Sequence, residues 1–244
     1  MKRIWTLAAL ILLAHARPAA AQSSTPVGPG SPEIRTAELR AGVDTMELLL
    51  LEGGTEFAAG MLVLRTDLAS ATLTRVERMT GRGGDVLSVD SFTVDRATLA
   101  AIAGRVTSGE GARELRFEAG RVRSSGRGAP LDTAVASPVF YGNSVDLVLG
   151  ALPLREGYEA RVHFFEEGGP VRVRVTGAEE VATADGGRCP AWRVEVRGGS
   201  HGGTYWIGRG SPSLVRFDTA TGGFRVLRRA GCAVAGAETR ATRR

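Results

Sequence analysis

The sequence predicts an all-β protein organised as a meandering antiparallel sheet or barrel, and two observations support this fold class. Apolar and charged residues alternate in short runs, among them "ELRFE" (114–118), "VRVRV" (171–175) and "WRVEVR" (192–197). Such alternation gives each strand one dry and one solvated face, which is typical of antiparallel sheets. Glycine-rich turns such as Gly222-Gly223 separate these runs at short intervals, as they do in a meander.

The N-terminus has the features of a cleavable secretory signal. Lys2 and Arg3 precede the apolar run Ile4–Ala14, which is too short to cross a bilayer, and small residues follow it up to Ala21. We expect a signal peptide over residues 1–21, cleavage after Ala21, and a periplasmic or secreted mature chain. No second apolar run of membrane length follows, so the sequence does not predict an integral membrane protein.

Composition divides the rest of the chain into three parts. Residues 22–33 form a Pro/Gly/Ser spacer that we expect to be a disordered linker. Residues 34–229 are long enough for a single β-rich domain with one sizeable core. Residues 230–244 are small and polar, and we expect them to form a loose C-terminal tail.

The charge balance argues against a nucleic-acid partner. Once Lys2, Arg3 and Arg17 are removed with the leader, 28 basic residues almost balance 26 acidic ones. The remaining basic residues are all arginines, and they are interleaved with acidic residues instead of forming one patch that could follow phosphates.

One segment, "YGNSVDLVLGALPL" (141–154), departs from the strand period and predicts a short amphipathic helix. Its apolar residues recur at i, i+3, i+4 and i+7: Val145, Val148, Leu149 and Leu152. Asn143 or Ser144 can cap the start of the helix, and Pro153 ends it. The helix either plugs one end of the core or acts as a lid over a ligand cavity.

The final predicted strands, over 188–197, 203–208, 213–218 and 223–229, form an up-down meander. Cys189 opens the first of them and Cys232 follows the last, so both cysteines lie at the same end of the sheet. Three strand spacings separate them by roughly 14 Å. A disulfide therefore requires the sheet to curl or the tail to fold back, and the sequence leaves the bond open.

No motif in the chain predicts catalysis, a metal site or a cofactor. "GGSHG" (198–202) matches the nucleophile-elbow pattern only loosely, because the strand before it leads into a second strand and not into a helix. The mature chain contains only two histidines, His163 and His201, and neither belongs to a motif with metal-ligand spacing. The absence of lysine from the mature chain excludes a Walker phosphate loop and Schiff-base chemistry.

Several segments resemble a known family. "LPLREGYEARVHFF" (152–165), the region 171–197, "TYWIGRGSPSLVRFD" (204–218) and "VDSFTVDRATLAAI" (89–102) resemble a domain-of-unknown-function family of bacterial exported β-proteins. That family is similar to the LolA/LolB-type lipoprotein carriers. The resemblance covers most of residues 45–229 and implies a curved antiparallel half-barrel or open barrel with one short helix across its concave side. It implies no catalytic residues.

We therefore expect a non-enzymatic cell-envelope protein that binds or carries an apolar ligand, such as a lipid or a lipoprotein. The alternative is a structural or protein-interaction module whose half-barrel is filled by its own side chains and holds no small molecule. In the first case the concave lining consists of Val148, Leu149, Leu152, Phe164, Trp192, Val194, Tyr205 and Trp206.

Overall fold

The computed structural model of the protein describes residues 24–135, 138–165 and 169–232. These residues form fifteen strands and one α-helix, α1 (Val145–Ala151), in a fold that is mainly β. The strands are β1 Thr25–Val27, β2 Gly42–Glu52, β3 Thr55–Leu68, β4 Thr72–Gly81, β5 Val86–Asp95, β6 Ala101–Ser108, β7 Gly111–Glu118, β8 Arg121–Gly126, β9 Asp132–Ala134, β10 Glu159–Val162, β11 Val171–Ala182, β12 Arg188–Arg197, β13 Gly203–Gly208, β14 Leu214–Thr219 and β15 Phe224–Arg228.

All the strands belong to one open, curved sheet that does not close into a barrel. Its order is β1-β10-β11-β12-β13-β14-β15-β2-β3-β4-β5-β6-β7-β8-β9. Every neighbouring pair is antiparallel except β1 and β10, which run parallel. The predicted final meander is confirmed, since β12 to β15 match the expected strands to within one residue at each end.

The topology explains why the helix lies across the concave side. β9 is one edge of the sheet and β10 lies next to the other edge, so the chain between them must cross the molecule. This crossing segment contains α1, six of whose seven residues are buried. The predicted helix is therefore confirmed. Ser144 occupies the N-cap position, but its hydroxyl makes no capping hydrogen bond and donates to the Tyr141 carbonyl at 2.7 Å.

Two close contacts hold the crossing segment against the sheet. A Cβ at Gly104 would lie 2.2 Å from the ring of Tyr141, so only glycine leaves room for this ring. A Cβ at Gly150 would lie 2.7 Å from the carbonyl oxygen of Pro212. Because glycine has no Cβ, the β13–β14 loop can pack directly on α1. The interior that results is continuous from α1 to both flanks of the sheet.

A second, smaller hydrophobic cluster lies on the convex face. Its buried members are Val181, Cys189, Ala191, Trp206 and Val215, and Cys232 packs against them. Cys189 and Cys232 form a disulfide with their Cα atoms 5.4 Å apart. The tip of the β11–β12 hairpin brings them together, because Ala184 N donates to Arg228 O at 2.9 Å and so fixes the tip to the end of β15.

The N-terminal spacer differs from the expectation of a disordered linker. Thr25–Val27 form β1, which pairs with β10, and Val27 is buried in the main core. The buried side chain of Val27 anchors this otherwise polar spacer to the core. The Pro/Gly/Ser composition of the spacer gave no indication of this contact. The predicted leader over residues 1–21 lies outside the described residues, as does the predicted tail beyond Cys232.

Candidate functional site

A cleft of about 360 Å³ lies on the concave face between the last meander and strands β3 to β6. Apolar side chains from both flanks form its walls: Leu62, Met79, Val106, Phe217, Phe224 and Val226. Because residues two apart on a strand share a face, each strand contributes alternate residues to the same wall. The resulting cleft has the size and lining of a small-molecule site.

Two carboxyl groups, Asp146 at the start of α1 and Glu77 on β4, line the floor of the cleft, and Arg75, which lies outside the lining, links them. Arg75 is buried on β4, and its Nη2 donates to Asp146 Oδ2 at 2.6 Å while its Nη1 donates to Thr66 Oγ1 at 3.2 Å. Arg75 Nε lies 3.4 Å from Glu77 Oε1, which is an ion-pair distance without the geometry of a hydrogen bond. The floor thus places one guanidinium between two carboxyl groups.

A third carboxylate, Asp90 on β5, completes the floor. Tyr141 Oη donates to one of its oxygens at 3.0 Å, and Asn143 Nδ2 donates to the other. Because both donors belong to the crossing segment, these bonds fix that segment to β5. Asp90 therefore acts in part as a structural anchor of the floor.

The environment of Glu77 raises its pKa. Burial raises the pKa of Glu77 to about 8, the guanidinium of Arg75 opposes this rise, and the carboxylates of Asp146 and Asp90 add to it. Only 17% of the Glu77 side chain is exposed. This carboxyl group therefore keeps its proton to a higher pH than an exposed glutamate does, and in its protonated form it can donate a hydrogen bond into the cleft.

The apolar wall continues beyond the cleft to the end of the sheet. Leu50 lies two residues beyond Leu48, a core residue, and its cross-strand partners are Phe57 on β3 and Phe224 on β15. Leu50 is 43% exposed and Phe57 is 49% exposed. Leu87, also 49% exposed, lies over Gly81 at the tip of the next hairpin. We call these three exposed side chains, Leu50, Phe57 and Leu87, the apolar rim.

A second cavity, of about 640 Å³, lies at the opposite end of the sheet beside the C-terminus of α1. We call it the Trp192 pocket. Its apolar surface consists of Trp192, Leu152, Leu154 and Ile207, and its charged residues are Arg35, Glu38, Arg40 and Arg209. Arg209 lies over the Trp192 ring, with 4.8 Å between the guanidinium carbon and the ring centroid.

The structure distributes the eight predicted lining residues over four places. Tyr205 lines the cleft, while Leu152 and Trp192 line the Trp192 pocket. Trp206 faces the convex cluster, because it alternates with Tyr205 and Ile207, which face the main core. The other four are fully buried core residues: Val148, Leu149, Phe164 and Val194. All four belong to the main hydrophobic core, and none of them lines the cleft or the Trp192 pocket.

The charged floor of the cleft was not predicted from the sequence. In "TLTRVERMTG" (72–81), Leu73, Arg75, Glu77 and Met79 share one face of β4, and two charged residues interrupt an apolar stripe there. That interruption was the available signal. It is ambiguous without the fold, because Val76 on the opposite face makes either face a plausible core.

The "GGSHG" segment forms the turn between β12 and β13. Tyr205 Oη donates to the carbonyl of His201 at 3.0 Å, which fixes this turn at the mouth of the cleft. Among residues 24–135, 138–165 and 169–232, no group of three or more His, Cys, Asp or Glu side chains is arranged to hold a metal ion. The same residues contain no helix of the length and apolar character that a membrane crossing requires.

Comparison with known proteins gives two matches. The sequence profile of a family described as "Protein of unknown function (DUF3108)" matches residues 55–228, which is more than half of the chain. A crystal structure from Bacteroides fragilis, described as a "putative exported protein with YMCC-like fold", is 11% identical. That match covers 78% of this chain and 95% of the other, and its TM-score of 0.30 is too low to support an argument about function. No curated protein matches. The likeness to the LolA/LolB-type carriers stays a prediction.

Proposed function

The chain belongs to the DUF3108 family of proteins of unknown function, and we propose that it is an exported, non-enzymatic binding protein that takes an apolar ligand into the concave cleft. One observation carries this proposal. The apolar wall is continuous from the half-buried side chains of the cleft to the exposed apolar rim. Apolar surface that remains open to solvent at a concave site is characteristic of ligand binding.

The filled core limits where the ligand can lie. Val148 and Leu149 on α1 are fully buried, so the space beneath the helix is occupied by the protein itself. The ligand therefore lies along the wall between Phe217 and Met79 and extends toward the rim. Each Å² of apolar surface that it removes from water contributes about 25 cal/mol.

The bonding of the floor supports a binding role and not catalysis. Arg75 is occupied by Asp146 and Thr66, and Asp90 by Tyr141 and Asn143, so these groups stabilise the floor. Glu77 lines the cleft, its pKa is raised chiefly by burial, and in its protonated form it can donate a hydrogen bond to a polar end of the ligand. The disulfide between Cys189 and Cys232 supports export, since such bonds persist in oxidising compartments.

The second candidate is a structural or interaction module without a ligand. It is favoured by the packing of the four fully buried residues Val148, Leu149, Phe164 and Val194, which leave no cavity at the centre of the predicted site. In that case the exposed apolar rim would contact an envelope protein instead of continuing a ligand site.

Native mass spectrometry of the protein purified from its own cell envelope distinguishes the two candidates. A bound apolar molecule adds mass that organic extraction removes, and Leu62→Trp, which fills the cleft, abolishes that added mass. The matched control is Ile102→Trp, at an exposed residue that does not line the cleft. If the wild-type protein carries no extractable molecule, or if Leu62→Trp carries it equally, the ligand proposal is wrong.

A further inference from the structure

The Trp192 pocket is separate from the proposed ligand cleft. It is enclosed by segment 35–41, the end of α1 and the β13–β14 loop. Arg35 N donates to Ala151 O at 2.7 Å, and this bond holds segment 35–41 against the end of α1. No residue lines both cavities. The buried α1 lies between them, so the two cavities are separate sites.

Positive charge dominates the pocket. Three arginines line it, Arg35, Arg40 and Arg209, against the single carboxylate of Glu38. Glu38 lies 3.9 Å from Arg35, so the only acidic side chain of the lining is already shared with one guanidinium. A cavity with this excess of guanidinium groups favours an anion.

The other two arginines keep donors available. Arg40 Nη1 donates to the carbonyls of Ala37 and Leu39, which orient its guanidinium without neutralising it. Arg209 lies over the ring of Trp192, and its backbone N–H is held by Pro190 O at 2.9 Å. Within the described part of the chain, neither Arg40 nor Arg209 is ion-paired with a carboxylate.

Apolar surface lies directly beside these charges. Leu152 and Ile207 are buried members of the main core, and half-buried Leu154 and Trp192 pack against it. The pocket therefore combines an apolar floor with a cationic margin. This arrangement suits a ligand that carries an anionic group on an apolar body.

We propose that the Trp192 pocket is a second binding site, which takes an organic anion consisting of a carboxylate or phosphate group on an apolar or aromatic body. The anionic group binds Arg40 and Arg209, and the body contacts Trp192 and the two leucines. The guanidinium fork matches both carboxylate and phosphate, so the shared anion chemistry defines the class.

Isothermal titration of the mature protein with four probes of one ring system tests this site. 1-Naphthyl phosphate and 1-naphthoate are the two anionic arms, and 1-naphthylmethylamine and 1-naphthol are the cationic and neutral controls. We expect at least one anion to bind, with the stronger arm identifying the preferred anionic group, and the amine not to bind. Arg40→Gln and Arg209→Gln should each weaken binding by about tenfold, and added salt should weaken it further.

Two variants separate this site from other effects. Arg172→Gln removes an exposed arginine from β11, far from the pocket lining, and should leave anion affinity unchanged. Leu62→Trp blocks the concave cleft and should also leave it unchanged, so failure of one site is distinguishable from failure of the other. Equal binding of the amine, no binding of any probe, or full affinity in both arginine variants overturns the proposal.

Discussion

Tyr205 and Trp206 are neighbours in the chain, yet they belong to separate hydrophobic clusters on opposite faces of β13. Tyr205 lines the concave cleft and packs against Phe217, with 4.4 Å between the ring centroids. Trp206 lies in the convex cluster, where its Nε1 donates to Glu179 Oε1 at 2.6 Å. One strand thus connects the apolar wall of the cleft with the cluster that packs on its opposite face.

This division predicts that Trp206 affects stability and not ligand binding. Trp206→Phe keeps a ring in the convex cluster but removes the donor to Glu179, so we expect a loss of about 1 kcal/mol in the free energy of unfolding. Urea denaturation measures the loss, and Trp192→Phe is the control with the same chemical change outside that cluster. A weaker affinity of the cleft for its ligand in Trp206→Phe, at unchanged stability, would contradict the assignment.

The disulfide fixes the β11–β12 hairpin to the end of the last strand. It closes a loop with a sequence separation of 43 residues, and replacing both cysteines by alanine should lower the free energy of unfolding by roughly 2–4 kcal/mol. Urea denaturation with and without a reducing agent measures this loss. The double variant should be insensitive to the reducing agent. Labelling of the denatured, unreduced wild-type protein that detects two free thiols would exclude the bond.

The helix stripe is expected to behave as core. Leu149 is fully buried, so Leu149→Ala leaves a cavity and should cost roughly 2–5 kcal/mol of unfolding free energy. Leu154→Ala, at a half-buried residue outside the helix, should cost clearly less. A small loss in Leu149→Ala, similar to that in Leu154→Ala, would indicate that the helix covers an open space.

Glu77 makes stability depend on pH. Its pKa rises from 4.5 to about 8 on folding, chiefly through burial, so the folded state holds this proton more tightly than the unfolded state does. The contribution is fully present below pH 4.5 and is lost progressively as pH rises from 4.5 to about 8, by up to about 1.4 kcal/mol per pH unit, with no further loss above that range. Glu77→Gln should remove this slope.

Urea denaturation at pH 5, 7 and 9 measures the effect as the difference between variant and wild type. Glu77→Gln should gain stability relative to wild type from pH 5 to pH 7 and, less steeply, up to pH 9, whereas Glu110→Gln, at an exposed glutamate, should not. A constant difference across this range would show that Glu77 is ionised throughout.

The sequence was sufficient for the fold class because its strongest signals are local. Alternation in "VRVRV" and "WRVEVR" and the glycine turns located the last strands closely, and the i, i+3, i+4, i+7 stripe located α1. These patterns depend on which residues share a face of one element, and that information is written in neighbouring residues.

The candidate site could not be predicted in the same way because it depends on distant pairings. The floor joins Arg75 on β4 to Asp146 on α1, 71 residues apart, and nothing in either local pattern indicates the other. Alternation separates Tyr205 from Trp206 but does not say which of them faces the concave side. The packing of α1 against one face of the sheet decides that question, because Tyr205 shares its hydrophobic cluster with α1 and Trp206 does not.

The most direct test of the account is a fluorescence titration with Nile red, an uncharged apolar probe that does not satisfy the charge requirement of the Trp192 pocket. The account predicts saturable, one-to-one binding by the wild-type protein and by Ile102→Trp. It predicts at least a tenfold loss of affinity in Leu62→Trp, with the urea midpoint unchanged. Absence of saturable binding by the wild-type protein, or equal affinity in Leu62→Trp, would contradict the claim that the concave cleft holds an apolar ligand.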